Sequence, residues 1–223
     1  LLVLLVTVLP GRSRRTAKPA PADSRAEPIH TVFLPLIAVP PPPRILIAAA
    51  HIDSATSGEP DEAIMLWNVG STAQALAGWR ITSGSRTATV PLTSTLQIGA
   101  GQRLWCTAQA VAFRTTSPDE PGCEWALDSD PTVENLQGKL GFTNSGGFIK
   151  LANASGEVVD TLLYGNETLP QAGWTGAAAQ IYTRGGTSAN GQIWQRKLHP
   201  QSWLPIDSDQ ASDWAGDLND LLW

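Results

Sequence analysis

An all-β domain is the fold class this sequence predicts, on three observations. Its apolar runs are short and rich in Val, Ile, Leu, Thr and Trp, as strands of a packed sheet require. Outside the extreme ends no long stretch of helical period separates them. The 20 glycines and 17 prolines supply the turns between them. With 223 residues and 42% hydrophobic content, the chain can bury one core, or at most two small ones.

The chain opens on "LLVLLVTVLP", which is uncharged and too short to span a bilayer as it stands. It fits the apolar region of a secretory signal. Residues 1–22 are therefore expected to be a partial signal peptide, with Ala20-Pro21-Ala22 as a small-residue cleavage site. The alternative is a membrane anchor with Arg12 to Arg15 on its cytoplasmic side. Because it begins at Leu1 and stops at Trp223, the chain is read as a piece of a longer protein. Residues 23–43 form a disordered Pro-rich linker that ends in the four prolines 40–43, a stiff spacer that blocks helix and central strand alike.

From Arg44 the pattern changes to strands. "RILIAA" is the first. "EAIMLWN" is apolar on both faces, so it is a strand with little exposed face. "STAQALAG" is a turn with Leu76 pointing inward. "WRITS" and "RTATV" follow, and Pro91 stops the second. Gly99 and Gly101 mark a tight turn before a strand through Arg103 to Thr107. "QAVAFR" suits one helical turn. Residues 115–138, polar and with three prolines, read as a long excursion. "GGFIKLANASGEVVDTLLYG" is a strand, a tight turn at Asn153 to Gly156, and a strand ending at Tyr164. About seven short strands with a turn every ten residues or so make a sandwich or a barrel.

Three stretches carry a family resemblance: "DEAIMLWNVGSTAQALAGWRITSG", "TLQIGAGQRLWC" and "LGFTNSGGFIKLANASGEVVDTLLYG". In that order they resemble the lamin tail domain, with its acid-led E-x-I-x-L-x-N strand, its L-x-G-W-x-L turn and its late hairpin ending in V-V-D-x-x-x-Y-G. Two departures are Gly147, where the family often has Asp or Glu, and the long insertion at 115–138. The resemblance implies an immunoglobulin-like β-sandwich over 44–165. It further implies an accessory module of an extracellular or envelope bacterial protein, since in bacteria such domains usually serve so, often beside nucleases or phosphodiesterases.

Within the first stretch, Trp67 and Trp79 read as core residues, Gly78 as a positive-φ turn position, Asn68 as a side chain bonding turn backbone and Glu62 as part of an exposed rim.

The search for chemistry excludes more than it finds. There is no G-x-S-x-G, H-E-x-x-H, C-x-x-C or phosphate-binding glycine loop. His30, His51 and His199 have no Cys or His near them in sequence and read as solvated or satisfied surface groups. None is followed two residues later by Lys, as a phospholipase D-like H-x-K motif requires: those positions hold Val32, Asp53 and Gln201. Carboxylates alternate at Asp128 and Asp130 and at Asp207, Asp209 and Asp213. They read as caps and solvated turns, with Asp213 as an N-cap. No catalytic residue, metal or cofactor is expected. With an export signal in front, Cys106 and Cys123 read as one disulfide tying a strand to the Pro-rich excursion, worth ~3 kcal/mol; the alternative is two free buried thiols in a cytoplasmic protein.

Charge bears on partners. Residues 1–43 hold five of the 15 basic residues and two of the 20 acidic ones, which leaves a net of −8 from Arg44 onward. Duplex nucleic acid is therefore not an expected partner, and a protein or cell-envelope partner is.

The extension 166–223 is Trp-rich, and within it residues 173–214 carry Trp174, Trp194, Trp203 and Trp214. It is either an aromatic surface for carbohydrate or another partner, or an apolar cover packed on the sandwich or on a missing neighbour. Its "YTRGGTSANGQIWQRKLHPQSWLPIDSDQASDW" resembles the region that precedes phospholipase D-like domains, with His199 where Asp is expected. Two functions compete. One is a non-catalytic interaction module, extracellular or in the cell envelope. The other is the front part of a phospholipase D-like phosphodiesterase whose catalytic domains lie beyond residue 223.

Overall fold

The computed structural model describes residues 44–181, 190–217 and 219–222. The signal or anchor expected at 1–22 and the linker expected at 23–43 lie outside them. In chain order the elements are β1 (Ile45–His51), β2 (Ala63–Asn68), β3 (Gln74–Ala75), β4 (Arg80–Ser83), β5 (Arg86–Thr89), β6 (Gln97–Ile98) and β7 (Arg103–Thr107). Then come α1 (Ala110–Thr116), β8 (Pro121–Glu124), β9 (Glu134–Asn135), β10 (Gln137–Gly138), β11 (Gly146–Ala152), β12 (Val158–Gly165) and β13 (Ile193–Gln195).

Two sheets face each other across the main core. One runs β13-β1-β2-β7-β8-β9 and the other β10-β5-β4-β11-β12, while β3 and β6 pair apart. The all-β sandwich predicted from the short apolar runs is the fold observed. Pairing is antiparallel except that β8 lies parallel to β7, and β9 parallel to β8. Between β9 and β10 only Leu136 intervenes, and it is buried. There the chain steps from one sheet to the other and closes that side of the sandwich.

The burial of β1 and β2 on both faces has a structural cause. Toward the other sheet, Ile45, Ile47, Ala50, Ile64 and Leu66 join the main core. On the opposite face, Ala49, Met65, Trp67 and Trp105 pack with Phe113 of α1 and with Leu198 in a second cluster. A strand covered on both sides shows an apolar run instead of alternation. The register of β1 against β2 slips between Ile47 and Ala49, which marks a bulge at Ala48.

Three sequence expectations need correction. The excursion at 115–138 is sheet, since it builds β8, β9 and β10, with Pro121 at the first position of its strand, where a missing N–H is tolerated. α1 is longer than the single turn expected. The boundary drawn at 165 does not mark the end of the core. β13 pairs with β1 through Ala49↔Gln195, and Trp174, Trp194 and Trp214 are buried in the main core. Among the described residues of the C-terminal stretch, Trp203 is the tryptophan that stands in solvent, 60% exposed.

Candidate functional site

The local readings of the opening stretch hold. Trp67 and Trp79 are buried, and Gly78 has φ of 78°. A Cβ at Gly78 would meet Ala154 and Leu92 at 3.1 Å. Asn68 is fully buried and organises two turns. Its Nδ2 donates to the carbonyls of Thr72 and Ile98, both at 2.8 Å, and its Oδ1 accepts the Gly70 N–H at 3.0 Å.

Glu62 is not on an exposed rim. It is 6% exposed, and its Oε1 accepts the Phe142 N–H at 3.1 Å. Burial pushes its carboxyl up to about 8; Glu59 and Asp61 push the same way, against the Phe142 N–H and the Arg86 guanidinium. Around it, one end of the sandwich is polar and acidic. Asn144 donates to Asp53 at 3.1 Å and to Glu59 at 2.6 Å, and Asn190 donates to Asp53 at 3.1 Å. Ser54 Oγ donates to the Asp61 carboxylate at 2.5 Å. His51 lies at this end and is buried, not solvated. Its Nδ1 donates to the Asp61 backbone carbonyl at 3.3 Å, which assigns the tautomer, and its Nε2 has no partner among the described residues. The hydroxyl thus serves a carboxylate and the imidazole a carbonyl, so the three groups do not form a nucleophile–base relay. His199 is exposed, and His30 lies outside the described residues.

The carboxylates of the C-terminal stretch converge on Arg196, which is fully buried. Its Nη2 donates to Asp160 Oδ1 at 2.6 Å, its Nη1 to Asp207 Oδ1 at 3.0 Å, and Asp213 Oδ2 lies at 3.6 Å. Trp214 stacks on the guanidinium at 5.1 Å. Asp213 is therefore no N-cap. It is the third residue of the 3-10 turn Ala211–Asp213, which Gln210 caps, and it accepts from Ser208 as well. Oxygens of Asp160, Asp207 and Asp209 lie within 4.8 Å of one another, as cation ligands do, but Arg196 already supplies positive charge there. Asp130 is a different case. It pairs with Arg114 and binds Thr132, and its carboxyl is lowered to about 2, chiefly by the Thr132 hydroxyl. Asp128 is exposed.

Cys106 and Cys123 are opposite one another in β7 and β8, with Cα atoms 4.5 Å apart, and form a disulfide inside the main core. The bond joins neighbouring strands, where the sequence suggested a strand and a loop. Gly147 faces Tyr164 across β11 and β12, and a Cβ there would lie 3.1 Å from the Tyr164 hydroxyl. That hydroxyl is committed to the backbone of Thr143 at both N–H and C=O. A carboxylate side chain at 147 has no room without moving it.

Sequence reasoning missed a feature with room for a ligand. A cavity of about 470 Å³ lies against β12, floored by Leu163, Trp174 and Ala178 and rimmed by residues of 165–180. The only signal for it in sequence was the Trp-rich composition of the stretch.

No protein-family model and no curated protein matches this chain. It is similar in fold to the crystal structure of a DUF4876 family protein from Bacteroides thetaiotaomicron, with TM-score 0.56 and 10% identity over 81% of this chain and 72% of that one. At that identity the likeness concerns fold alone.

Proposed function

We propose that this chain is a non-catalytic recognition module of an exported or cell-envelope protein, of the immunoglobulin-like, lamin-tail type its sequence resembles. The observation that carries the reading is the cavity beside β12. Its wall is pinned at both ends, so the space does not depend on a loose loop: Thr161 Oγ1 donates to the Ala172 carbonyl at 2.7 Å, and the Ala179 N–H to the Leu163 carbonyl at 2.8 Å. A pre-formed concave site with a few polar groups is the usual form of a small-ligand site. The core disulfide agrees with an oxidising compartment.

The test is co-sedimentation of the purified chain with isolated bacterial cell walls, beside a heat-denatured control. Retention above the control supports the module, and its absence in walls of several compositions removes it. The same preparation should leave a generic phosphodiester intact; turnover above the denatured control refutes the non-catalytic part. A net charge of −8 from Arg44 onward repels phosphate, so a gel shift of duplex DNA at sub-micromolar protein in ordinary salt would contradict the reading too.

A further inference from the structure

The cavity beside β12 has a lining specific enough to name a ligand class. The segment after β12 folds back and pairs along the strand's free edge, where the Gly165 N–H donates to the Ala179 carbonyl at 2.9 Å. The isolated bridge Tyr164↔Ala179 and the Gln180 Nε2 bond to the Gly165 carbonyl at 2.8 Å hold its far end. Gly173 allows the close approach in between. Its φ is 77°, and a Cβ would lie 2.9 Å from Thr161 Oγ1. Trp174 is fixed by its own Nε1 bond to the Ala177 carbonyl at 3.2 Å. These contacts put apolar surface on the floor, from Leu163, Trp174 and Ala178.

The rim mixes apolar Leu169, 65% exposed, and Pro170 with polar side chains. Asn166, Thr168 and Gln171 project amide and hydroxyl groups that make no hydrogen bond to another described residue. Glu167 adds a carboxylate whose Oε1 accepts the Thr168 and Leu169 N–H groups, both at 2.8 Å, which leaves Oε2 to accept from a ligand. The lining contains no Lys, Arg or His. A phosphate, carboxylate or sulfate ligand would thus meet one negative charge and no positive one. A lipid chain would strand the rim's unpaired amides against hydrocarbon. Groups that both donate and accept, set above an apolar floor, match vicinal hydroxyls on a ring with an apolar face. Resting on the module reading above, we propose that this cavity binds a neutral sugar ring, with Asn166, Gln171 and Glu167 Oε2 bonding its hydroxyls and Leu163 beneath it.

The test is saturation-transfer NMR on the full chain with maltose, cellobiose and N,N′-diacetylchitobiose, followed by titration of whichever binds. Transfer from at least one of them is expected. Asn166→Ala with Gln171→Ala should weaken that binding by about tenfold or more, at roughly one tenfold step per 1.4 kcal/mol. Neither amide supports the fold, so the melting temperature should stay unchanged, while Leu92→Ala, distant in sequence and outside the lining, should leave binding intact. Glu167→Gln keeps an acceptor and should weaken sugar binding only mildly. Three results would overturn the proposal: no transfer from any of these sugars; binding indifferent to the double substitution; or binding of spermidine that Glu167→Gln abolishes, which would make the site cationic. If the chain sediments with cell walls and the double variant sediments equally well, the module stands and this assignment falls.

Discussion

Arg196 and Asp160 form an ion pair at 2.6 Å between side chains 0% and 1% exposed. The pair ties the residue after β13 in one sheet to β12 in the other. It also repairs the bulge in β1. There the Ile47 N–H donates to Asp160 Oδ2 at 2.6 Å, and the Ile47 carbonyl accepts from Arg196 Nε at 2.8 Å. The slip at Ala48 would otherwise leave both backbone groups buried and unpaired, at a cost comparable to a lost hydrogen bond each.

Removing either partner should therefore be costly, and not equally. Arg196→Met leaves Asp160, Asp207 and Asp213 without their shared cation, and should destabilise by about 3–5 kcal/mol in urea unfolding. Asp160→Asn keeps an acceptor for Ile47 and leaves Arg196 with Asp207, so its cost should be smaller. Equal losses for the two variants would contradict this account of the cluster.

Glu62 should make the fold sensitive to alkali. Its folded pKa of about 8 lies above the ordinary 4.5. Between those values the folded state keeps a proton that the unfolded chain has released. Stability is thus full below pH 4.5 and is lost as pH rises to 8, on the order of a few kcal/mol. Glu62→Gln preserves the acceptor for Phe142 and carries no charge, so its urea midpoint should change far less across that window. A wild-type midpoint that climbs through the same range would disprove the assignment.

How much of this was legible in the sequence depends on contact distance. Asn68 could be read from its nearest partners, Gly70 and Thr72, though not its bond to Ile98, 30 positions away, and Trp79 because a large ring at the start of a strand has one common use. Arg196 and Asp160 are 36 positions apart, and Glu62 and Phe142 are 80 apart. Nothing near Glu62 announces burial, because the loop that covers it comes from before β11. The acid-rich C-terminal stretch looked like solvated turns for the same reason: its buried counter-charge is Arg196, joined at Asp207 by Arg44 from the start of the described chain, and local patterning places neither. The cavity was invisible because a segment without regular structure builds its wall.

The disulfide should be present in exported protein and should matter. Cys106 and Cys123 are both in the core, so denatured, non-reduced protein should show no free thiol and folded protein should resist mild reductant. Replacing both by Ala should cost about 3 kcal/mol on the chain-entropy account. Two titratable thiols in protein recovered from outside the cytoplasm would refute the pairing.

Ending the chain at Gly165, where the hairpin of β11 and β12 stops, should destroy the fold. The truncation removes β13 from the edge of its sheet and takes Trp174, Trp194 and Trp214 out of the core. Tyr164 loses the ring of Trp194, 5.5 Å away. Asp160 keeps its burial in the sandwich and loses its only ion-pair partner among the described residues, Arg196. Each lost tryptophan leaves a void of the kind that costs about 3–5 kcal/mol when a large aromatic is deleted, and two such losses are comparable to the whole stability of a domain. Residues 44–222 should therefore melt in one cooperative transition, whereas residues 44–165 should show no sharp near-ultraviolet signal and no cooperative melt. A cooperative transition for 44–165 within a few degrees of the longer chain would mean that the C-terminal stretch is a cover on a self-sufficient sandwich and not part of its core.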